Sequence, residues 1–279
     1  MDPLVFIATV AALAVGAGLL GALFGLGGGI FLIPALTLLF HVNIKYAIGA
    51  SLVSVIATSS GSAAAYVRDR LTNVRIGTVL QVTSVAGALS GAYLAGLLAP
   101  RWLYLIFGGL LVYSAVAMVL RRGVDLPELG PPDPLALRLG LRGTFVDGPS
   151  GREVTYVARR VGLGSGMMYI AGVLSGLLGI GSGIFNVLAM DVMMRLPLKV
   201  STATSNFMIG VTAAASAGVY VARGEINPLV AAPVALGVLV GALIGTRVMV
   251  RLRSQTLRLL FVPVLLYVGI AMVLRGLRV

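Results

Sequence analysis

The sequence is built from long apolar segments with almost no charge inside them. Six of these runs are uninterrupted over about 18 residues or more, which is the length of a bilayer-spanning helix. They occupy residues 45–67, 76–99, 102–120, 200–222, 228–250 and 256–274. Only 11% of the residues are charged, whereas a soluble domain carries about 25%. The pattern predicts an all-α polytopic membrane protein, located in the cell membrane.

The composition also excludes several kinds of site. The 279 residues include no cysteine and one histidine, His41, so disulfides, thiolate metal sites and histidine-rich clusters are ruled out. We expect neither a metal nor a cofactor. The 21 basic and nine acidic residues give a net charge of +12, but the basic residues lie in loops between apolar runs. They predict orientation in the membrane rather than binding to nucleic acid.

Two further apolar stretches, 3–40 and 161–194, are each interrupted by glycines, at residues 25–29 and 179–183. Such breaks are too dense for one continuous helix. Irregular backbone inside a membrane is tolerated only where it is buried in protein or lines a cavity. A short apolar helix follows each break, over 30–40 or 184–194, and its amino-terminal amides favour an anion. The alternative is close helix packing through small residues, which explains the remaining glycine pairs.

A repeat without gaps relates the two halves of the chain. At an offset of 154, identical residues include Gly27 and Gly181, Lys45 and Lys199, Ser51 and Ser205, and Asn73 and Asn227. The sequence therefore predicts a first transmembrane repeat over 1–122, a linker over 123–160 and a second transmembrane repeat over 161–279.

The basic residues predict how the repeats are oriented. If each broken stretch crosses once, the 21 Lys and Arg divide 13 against 8 between the two sides; if it goes in and comes back, they divide 16 against 5. The positive-inside rule favours the second arrangement. We therefore expect two inverted repeats, each with a glycine-broken first hairpin followed by three transmembrane helices. The linker is then cytoplasmic and both termini lie outside. Whether each broken stretch is a re-entrant hairpin or two full passes stays open.

The linker is the largest polar segment. Residues 144–146 and 153–157 alternate apolar and polar around a turn at 147–151, which predicts a small β-hairpin. We interpret the linker as a connector, with a regulatory or docking role as the alternative.

Neutral polar side chains follow both breaks along the chain. Hydroxyls and amides can bind oxyanions without a buried counter-charge, although the same groups can instead join helices or bond to their own backbone. The predicted substrate-binding residues are Gly27, Gly28, Gly29, Ser51, Ser54, Gly181, Ser182, Gly183, Asn186, Thr204, Ser205 and Asn206.

Three charged residues are candidates for other roles. The only two lysines, Lys45 and Lys199, occupy equivalent repeat positions and predict gating or steering of anions, with interfacial snorkelling as the alternative. Asp191 is the only carboxylate inside an apolar run, so it is the candidate for proton coupling. The alternative interpretation is that Asp191 forms a structural ion pair with Arg195, four residues later.

The glycine motifs resemble those of a known family. Gly25 to Pro34 reads GLGGGIFLIP and is followed by AIGASL from Ala47; Gly179 to Phe185 reads GIGSGIF and is followed by VSTATSNFMI from Val200. On these residues the chain resembles the sulfite exporter TauE/SafE family of membrane anion permeases. Two positions depart from that pattern: Ala50 replaces a usual threonine and Leu188 a usual proline.

The resemblance implies secondary transport of sulfite, a sulfonate such as sulfoacetate, or a related organosulfur anion. We therefore expect a transporter that works by alternating access, with a small sulfur-containing anion and the lipid bilayer as its partners. An anion channel is the alternative, and a membrane-embedded lipid-modifying enzyme is less favoured, because one intramembrane carboxylate is not a catalytic cluster. The oligomeric state stays open, with a homodimer among the alternatives.

Overall fold

A computed structural model describes residues 3–24, 27–68, 71–120, 133–147, 152–249 and 254–278. The described chain is helical apart from one β-hairpin. Gly25 and Leu26 of the first glycine motif, and linker residues 123–132 and 148–151, lie outside it. The first half contains α1 Pro3–Phe24, α2 Gly29–Pro34, a π-helical continuation π1 Ala35–Leu39, α3 Ile44–Arg68, α4 Val74–Leu97 and α5 Pro100–Leu120. The linker contains α6 Pro134–Arg138, β1 Arg142–Asp147 and β2 Arg152–Val157. The second half contains α7 Val161–Leu178, α8 Gly183–Leu188, π2 Ala189–Met193, α9 Leu198–Ala222, α10 Pro228–Met249 and α11 Ser254–Arg278.

Membrane-spanning helices make up most of the fold. Among the described residues, six helices are long and apolar enough to cross a bilayer, and α5 has a shorter apolar stretch. The six spans are Val5–Ala22, Ile44–Arg68, Val74–Leu97, Val161–Leu178, Lys199–Ala222 and Pro228–Gly245. The prediction of a polytopic helical membrane protein is confirmed. Each glycine-interrupted stretch contains one full-length helix, α1 or α7, then the break, then a shorter helix that changes from α to π geometry after six residues.

Capping side chains explain where several helices begin. Asn73 Oδ1 accepts a hydrogen bond from the Ile76 amide at the start of α4, and Asn227 Oδ1 accepts one from the Leu229 amide at the start of α10. Asparagine is a favoured residue at this position because its side chain satisfies an amide that has no intrahelical partner. The two caps occupy equivalent positions of the repeat.

Contacts between the halves define the directions of the helices. Helices α4 and α7 run parallel, because β-carbons at Gly172 and Gly176 would meet the carbonyls of Ser84 and Ala88. Helices α3 and α9 run antiparallel: Gly49 at the start of α3 packs on the Glu225 carbonyl beyond the end of α9, whereas Ser59 bonds to the Asn206 carbonyl.

The remaining cross-half pairs repeat this arrangement. In α1 and α10, β-carbons at Gly237 and Gly241 would meet the carbonyls of Ala11 and Val15, so these helices are parallel. Helices α5 and α11 are antiparallel, with Gly108 facing Gly269 and Gly276 facing Tyr104. Glycines thus allow helix backbones to approach closely, as the small-residue packing of membrane helices requires.

The linker packs against one end of the helix bundle. Strands β1 and β2 are antiparallel, with Phe145 opposite Val154. Phe145 and Tyr156 join an apolar cluster with residues of α4, α7, π2 and α9. Asn73 Nδ2 donates to the Arg142 carbonyl and to the Tyr156 hydroxyl, and the Arg159 amide donates to the Met194 carbonyl. The linker therefore contacts both halves on the side where α4, α7 and α9 begin.

Candidate functional site

The two glycine breaks meet at the middle of the helix bundle. A β-carbon at Gly27 would lie 3.1 Å from Val55 Cγ1 and 3.3 Å from Ile209 Cδ1. At Gly181 it would lie 2.8 Å from Val55 Cγ1 and 3.7 Å from Ile209 Cβ. Val55 is the twelfth of 25 residues in α3, and Ile209 is the twelfth of 25 in α9. Both breaks therefore lie near mid-depth of the two central helices.

The backbone of both breaks is left-handed at equivalent positions. Gly27 and Gly28 have φ of 76° and 74°, and their counterparts Gly181 and Ser182 have φ of 78° and 48°. Glycine adopts this conformation without steric cost, whereas a serine rarely does. Ser182 also makes no capping bond to α8, although it is the amino-terminal cap of that helix.

Several buried polar atoms near the breaks have no hydrogen-bond partner in the described protein. They are Ser54 Oγ, Ser182 Oγ, both side-chain amide atoms of Asn186, and Asn206 Oδ1. Each of these side chains is at most 1% exposed. A β-carbon at Gly28 would lie 3.6 Å from Ser54 Oγ, so Ser54 faces the first break. Because buried polar groups without partners are costly, these atoms make the breaks the candidate binding site.

Two other predicted site residues, Ser51 and Ser205, donate hydrogen bonds to backbone carbonyls of the second break. Ser51 Oγ donates to the Gly179 carbonyl across the halves at 2.6 Å, and Ser205 Oγ donates to the Gly183 carbonyl at 3.2 Å. Their hydroxyl hydrogens are thus engaged by backbone. Among the described residues, the side-chain donors without a partner at the breaks include the hydroxyls of Ser54 and Ser182 and the amide nitrogen of Asn186.

Two residues of the predicted cluster on α9 point to other partners. Thr204 Oγ1 accepts a hydrogen bond from the Asn73 amide at 3.0 Å, which places Thr204 against the start of α4. Asn206 Nδ2 donates to the Thr202 carbonyl at 3.0 Å, and only its Oδ1 is unpartnered. A carbonyl oxygen accepts hydrogen bonds, so it does not attract an anion.

A crevice adjoins the second break and adds α5 to the site. Its lining residues are Ile30, Leu110, Leu111, Ser114, Ile180, Ser182, Gly183 and Phe185. Sequence reasoning missed the α5 residues. One signal could have found them, because Ser114 is the only serine or threonine in the apolar run 102–120.

The predicted steering lysines lie away from the breaks. Lys45 is ten residues before Val55, about 15 Å along the helix. Its Nζ lies 3.9 Å from Glu225 Oε1 and 3.4 Å from the Gly96 carbonyl oxygen. The Lys45 and Glu225 side chains are 25% and 16% exposed. Lys199 is exposed at the opposite end of the bundle.

The predicted coupling carboxylate is closer to the second break. Asp191 is half-buried on π2, five residues after Asn186, and Arg195 is exposed beyond the end of π2. Among the described residues, no group of three or more His, Cys, Asp or Glu side chains could hold a metal ion. The unpartnered donors on Ser54, Ser182 and Asn186 are groups of the kind that can hydrogen-bond to an anion.

Comparison with known proteins identifies the family. Residues 10–272 match the family model described as sulfite exporter TauE/SafE. The chain is 28% identical to "Probable membrane transporter protein YunE" of Bacillus subtilis over 270 residues, which cover 93% of this chain and 94% of the relative. It is 29% identical to "Probable membrane transporter protein YdhB" of the same organism, over 82% of this chain and 85% of the relative.

An archaeal relative extends the similarity. The chain is 24% identical to "Probable membrane transporter protein MJ0441" of Methanocaldococcus jannaschii, over 92% of this chain and 91% of the relative. No solved structure shows significant similarity to the chain. The family match spans both halves and both glycine motifs. The chain belongs to the sulfite exporter TauE/SafE family of membrane transporters.

Proposed function

We propose that this protein is a secondary transporter that moves a small sulfur-containing anion, such as sulfite or a sulfonate, across the cytoplasmic membrane by alternating access. The observation that carries the proposal is the set of unpartnered donors at the breaks, on Ser54, Ser182 and Asn186. Hydrogen bonds between neutral donors and an ionised acceptor are among the stronger ones in proteins. An oxyanion at the breaks would satisfy these donors.

The two halves are proposed to be inverted repeats. The opposite directions of α3 and α9, which occupy equivalent repeat positions, support this arrangement. The opposite directions of α5 and α11 support it independently. Inverted repeats with broken helices at mid-membrane are typical of secondary transporters, since the same site can open to either side.

The position of the breaks fits this mechanism. Val55 and Ile209 contact both breaks at mid-depth, so a ligand bound there lies far from either surface of the membrane. In alternating access the site is reached from one side at a time. A channel would instead need a continuous path, and its flux would follow the gradient.

The proposed orientation places the linker in the cytoplasm and both termini outside, from the division of 16 basic residues against 5. It is tested with two single-cysteine variants of exposed residues, Arg101→Cys at the start of α5 and Arg138→Cys in α6. An impermeant thiol reagent should label Cys at 101 in intact cells and Cys at 138 only after permeabilisation. Labelling of position 138 in intact cells would reverse the assignment.

Flux into sealed vesicles tests the transport function. Purified protein is reconstituted into proteoliposomes, and a proton gradient or a membrane potential is imposed. The vesicles should then accumulate sulfite or a sulfonate against its concentration gradient. Downhill flux alone would indicate a channel, and chemical turnover without flux would indicate an enzyme. Asn186→Ala should slow uptake, whereas Ser62→Ala should not. Ser62 is also buried with an unpartnered hydroxyl, but it lies seven residues, about 10 Å, beyond Val55 on α3.

A further inference from the structure

We propose that the linker is a lipid-binding element: helix α6 lies in the headgroup layer of the membrane, and the arginines beside it bind anionic phospholipids. This surface is remote from the glycine breaks. The inference therefore does not depend on which substrate the protein carries.

Helix α6 lies where α4 and α7 enter the membrane. Asp133 Oδ2, at the start of α6, accepts a hydrogen bond from the amide of Val161, the first residue of α7. Just beyond the other end of α6, a β-carbon at Gly140 would lie 2.9 Å from the guanidinium carbon of Arg75, in the first turn of α4. The span of α7 has 18 residues, about 27 Å in length, which a hydrocarbon core of about 30 Å covers entirely. The start of α7 therefore marks the edge of the hydrocarbon, and α6 is level with the headgroups.

The surface of α6 and of the turn after it is apolar. Leu135, Leu137 and Leu139 are 44%, 54% and 36% exposed, whereas Ala136 is buried. Exposed apolar patches of this kind mark surfaces that bind a membrane or another molecule. Leu163, in the first turn of α7, is 64% exposed on a membrane-spanning helix. Because Leu135 and Leu163 each follow the hydrogen-bonded Asp133 and Val161 by two residues, the leucines of the linker adjoin the lipid-facing surface of α7.

Exposed arginines lie beside this apolar surface. Arg138 is on α6, Arg142 begins β1, Arg75 is in the first turn of α4 and Arg160 precedes α7. Among the described residues, none of these four side chains forms a salt bridge with a carboxylate. Guanidinium groups bind phosphate oxygens in a bidentate manner, and leucines flanked by arginines are typical of segments that lie in a membrane interface. Anionic phospholipid headgroups are the complementary partner.

The outer face of the hairpin differs from the surface around α6. Val154 and Tyr156 of β2 pack against the apolar cluster at the end of the helix bundle. Because side chains alternate along a strand, Glu153 and Thr155 point away from the bundle, and both are exposed. The exposed carboxylate thus faces water. A protein partner would have to displace lipid from the edge of the hydrocarbon to reach the leucines of α6, so the observations favour lipid as the occupant.

The depth of α6 in the bilayer tests the proposal. The chain contains no cysteine, so Leu137→Cys and Thr155→Cys each introduce a single labelling site into the full-length protein. Each variant is labelled with a small fluorophore and reconstituted into bilayers of phosphatidylcholine and phosphatidylglycerol that contain nitroxide-labelled lipid. The lipid nitroxide should quench the fluorophore at position 137, and a neutral water-soluble quencher should quench the one at position 155. If the lipid nitroxide quenches position 137 no more than position 155, the proposal is overturned, and a soluble partner is the remaining occupant of the leucine surface.

The arginines are tested by the lipids that the protein retains. Native mass spectrometry of the purified full-length protein should show phosphatidylglycerol retained in preference to phosphatidylcholine. In the double variant Arg138→Gln with Arg142→Gln, this preference should fall by about fivefold for each arginine replaced. Arg101→Gln is the matched control, because Arg101 is exposed at the start of α5, at the opposite end of the bundle. An unchanged preference in the double variant, or an equal loss in Arg101→Gln, would overturn the lipid site. Both measurements are made without substrate, so either failure would leave the proposed transport function standing.

Discussion

The two glycine breaks share a backbone but differ in their side chains. The φ angles of Gly27 and Gly181 differ by only two degrees, and a short α-helix followed by a π-helical turn comes after each break. The first break places Gly28, Leu32 and Leu52 where the second places Ser182, Asn186 and Asn206. Duplication thus preserves the scaffold, whereas the polar atoms available to a ligand are concentrated in the second half.

The largest expected effect comes from filling either break. Gly28→Leu and Ser182→Leu should each abolish uptake, because both positions have positive φ and Ser182 lines the crevice. Gly16→Leu is the matched control, since a β-carbon there meets nothing within 4 Å. Uptake by proteoliposomes is the measurement, with membrane insertion checked for each variant. Near-normal uptake by either break variant would mean that the breaks serve only packing.

The next effect concerns the second break alone. Asn186→Leu gives it the apolar residue of the first break and removes a donor to a charged ligand. We expect a loss of roughly 1.5 to 3 kcal/mol, or about a tenfold to hundredfold weaker affinity. Asn206→Ala should weaken binding less than about threefold, because its amide nitrogen already bonds to Thr202. Calorimetric titration measures the affinity of both variants. A larger loss of affinity in Asn206→Ala than in Asn186→Leu would mean that Asn206, and not Asn186, is the main donor to the substrate.

A smaller effect separates the two lysines. Lys45→Gln should leave the salt dependence of uptake unchanged, because Lys45 is paired with Glu225, and should cost roughly 0.2 to 1 kcal/mol of stability. Lys199→Gln should slow entry from the linker side, because Lys199 is exposed at the end of the bundle where α9 begins, and this effect should fade above about 0.15 M salt. The double variant Lys45→Glu with Glu225→Lys should restore stability. If Lys45→Gln instead weakens affinity at every salt concentration, Lys45 contacts the substrate.

The smallest effect lies in the linker. Asp133 Oδ1 accepts from the Leu135 amide and Oδ2 from the Val161 amide, and these backbone hydrogen bonds hold the pKa of its carboxyl below the ordinary value of 3.8. A lowered folded-state pKa stabilises the linker above the unfolded value, and this stabilisation is lost as pH falls through the folded value. Hydrogen exchange at Leu135 and Val161 should therefore show increased opening below about pH 4. In the Asp133→Asn variant this pH dependence of hydrogen exchange should disappear. If it persists, a group other than Asp133 causes it.

Hydropathy and glycine density predict the spans and the breaks because both are local properties of the chain. The partners of the hydroxyls could not be predicted in the same way. Helices α3 and α9 are apolar on most faces, so their periodicity does not show which way a serine points. Ser51 binds the Gly179 carbonyl from the opposite half, and Thr204 turns toward α4. The pair of Lys45 and Glu225 joins residues 180 positions apart, which no local pattern indicates.

The close approach of α4 to α7 and of α1 to α10 has a mechanical consequence. In each pair one helix comes from each half of the sequence, and glycines bring the backbones into contact at Gly172, Gly176, Gly237 and Gly241. Contacts of this kind leave no long side chains that could slide past one another. We therefore expect these mixed helix pairs to stay rigid in the proposed transport cycle, so that movement between helices would follow a boundary different from the one between the two repeats.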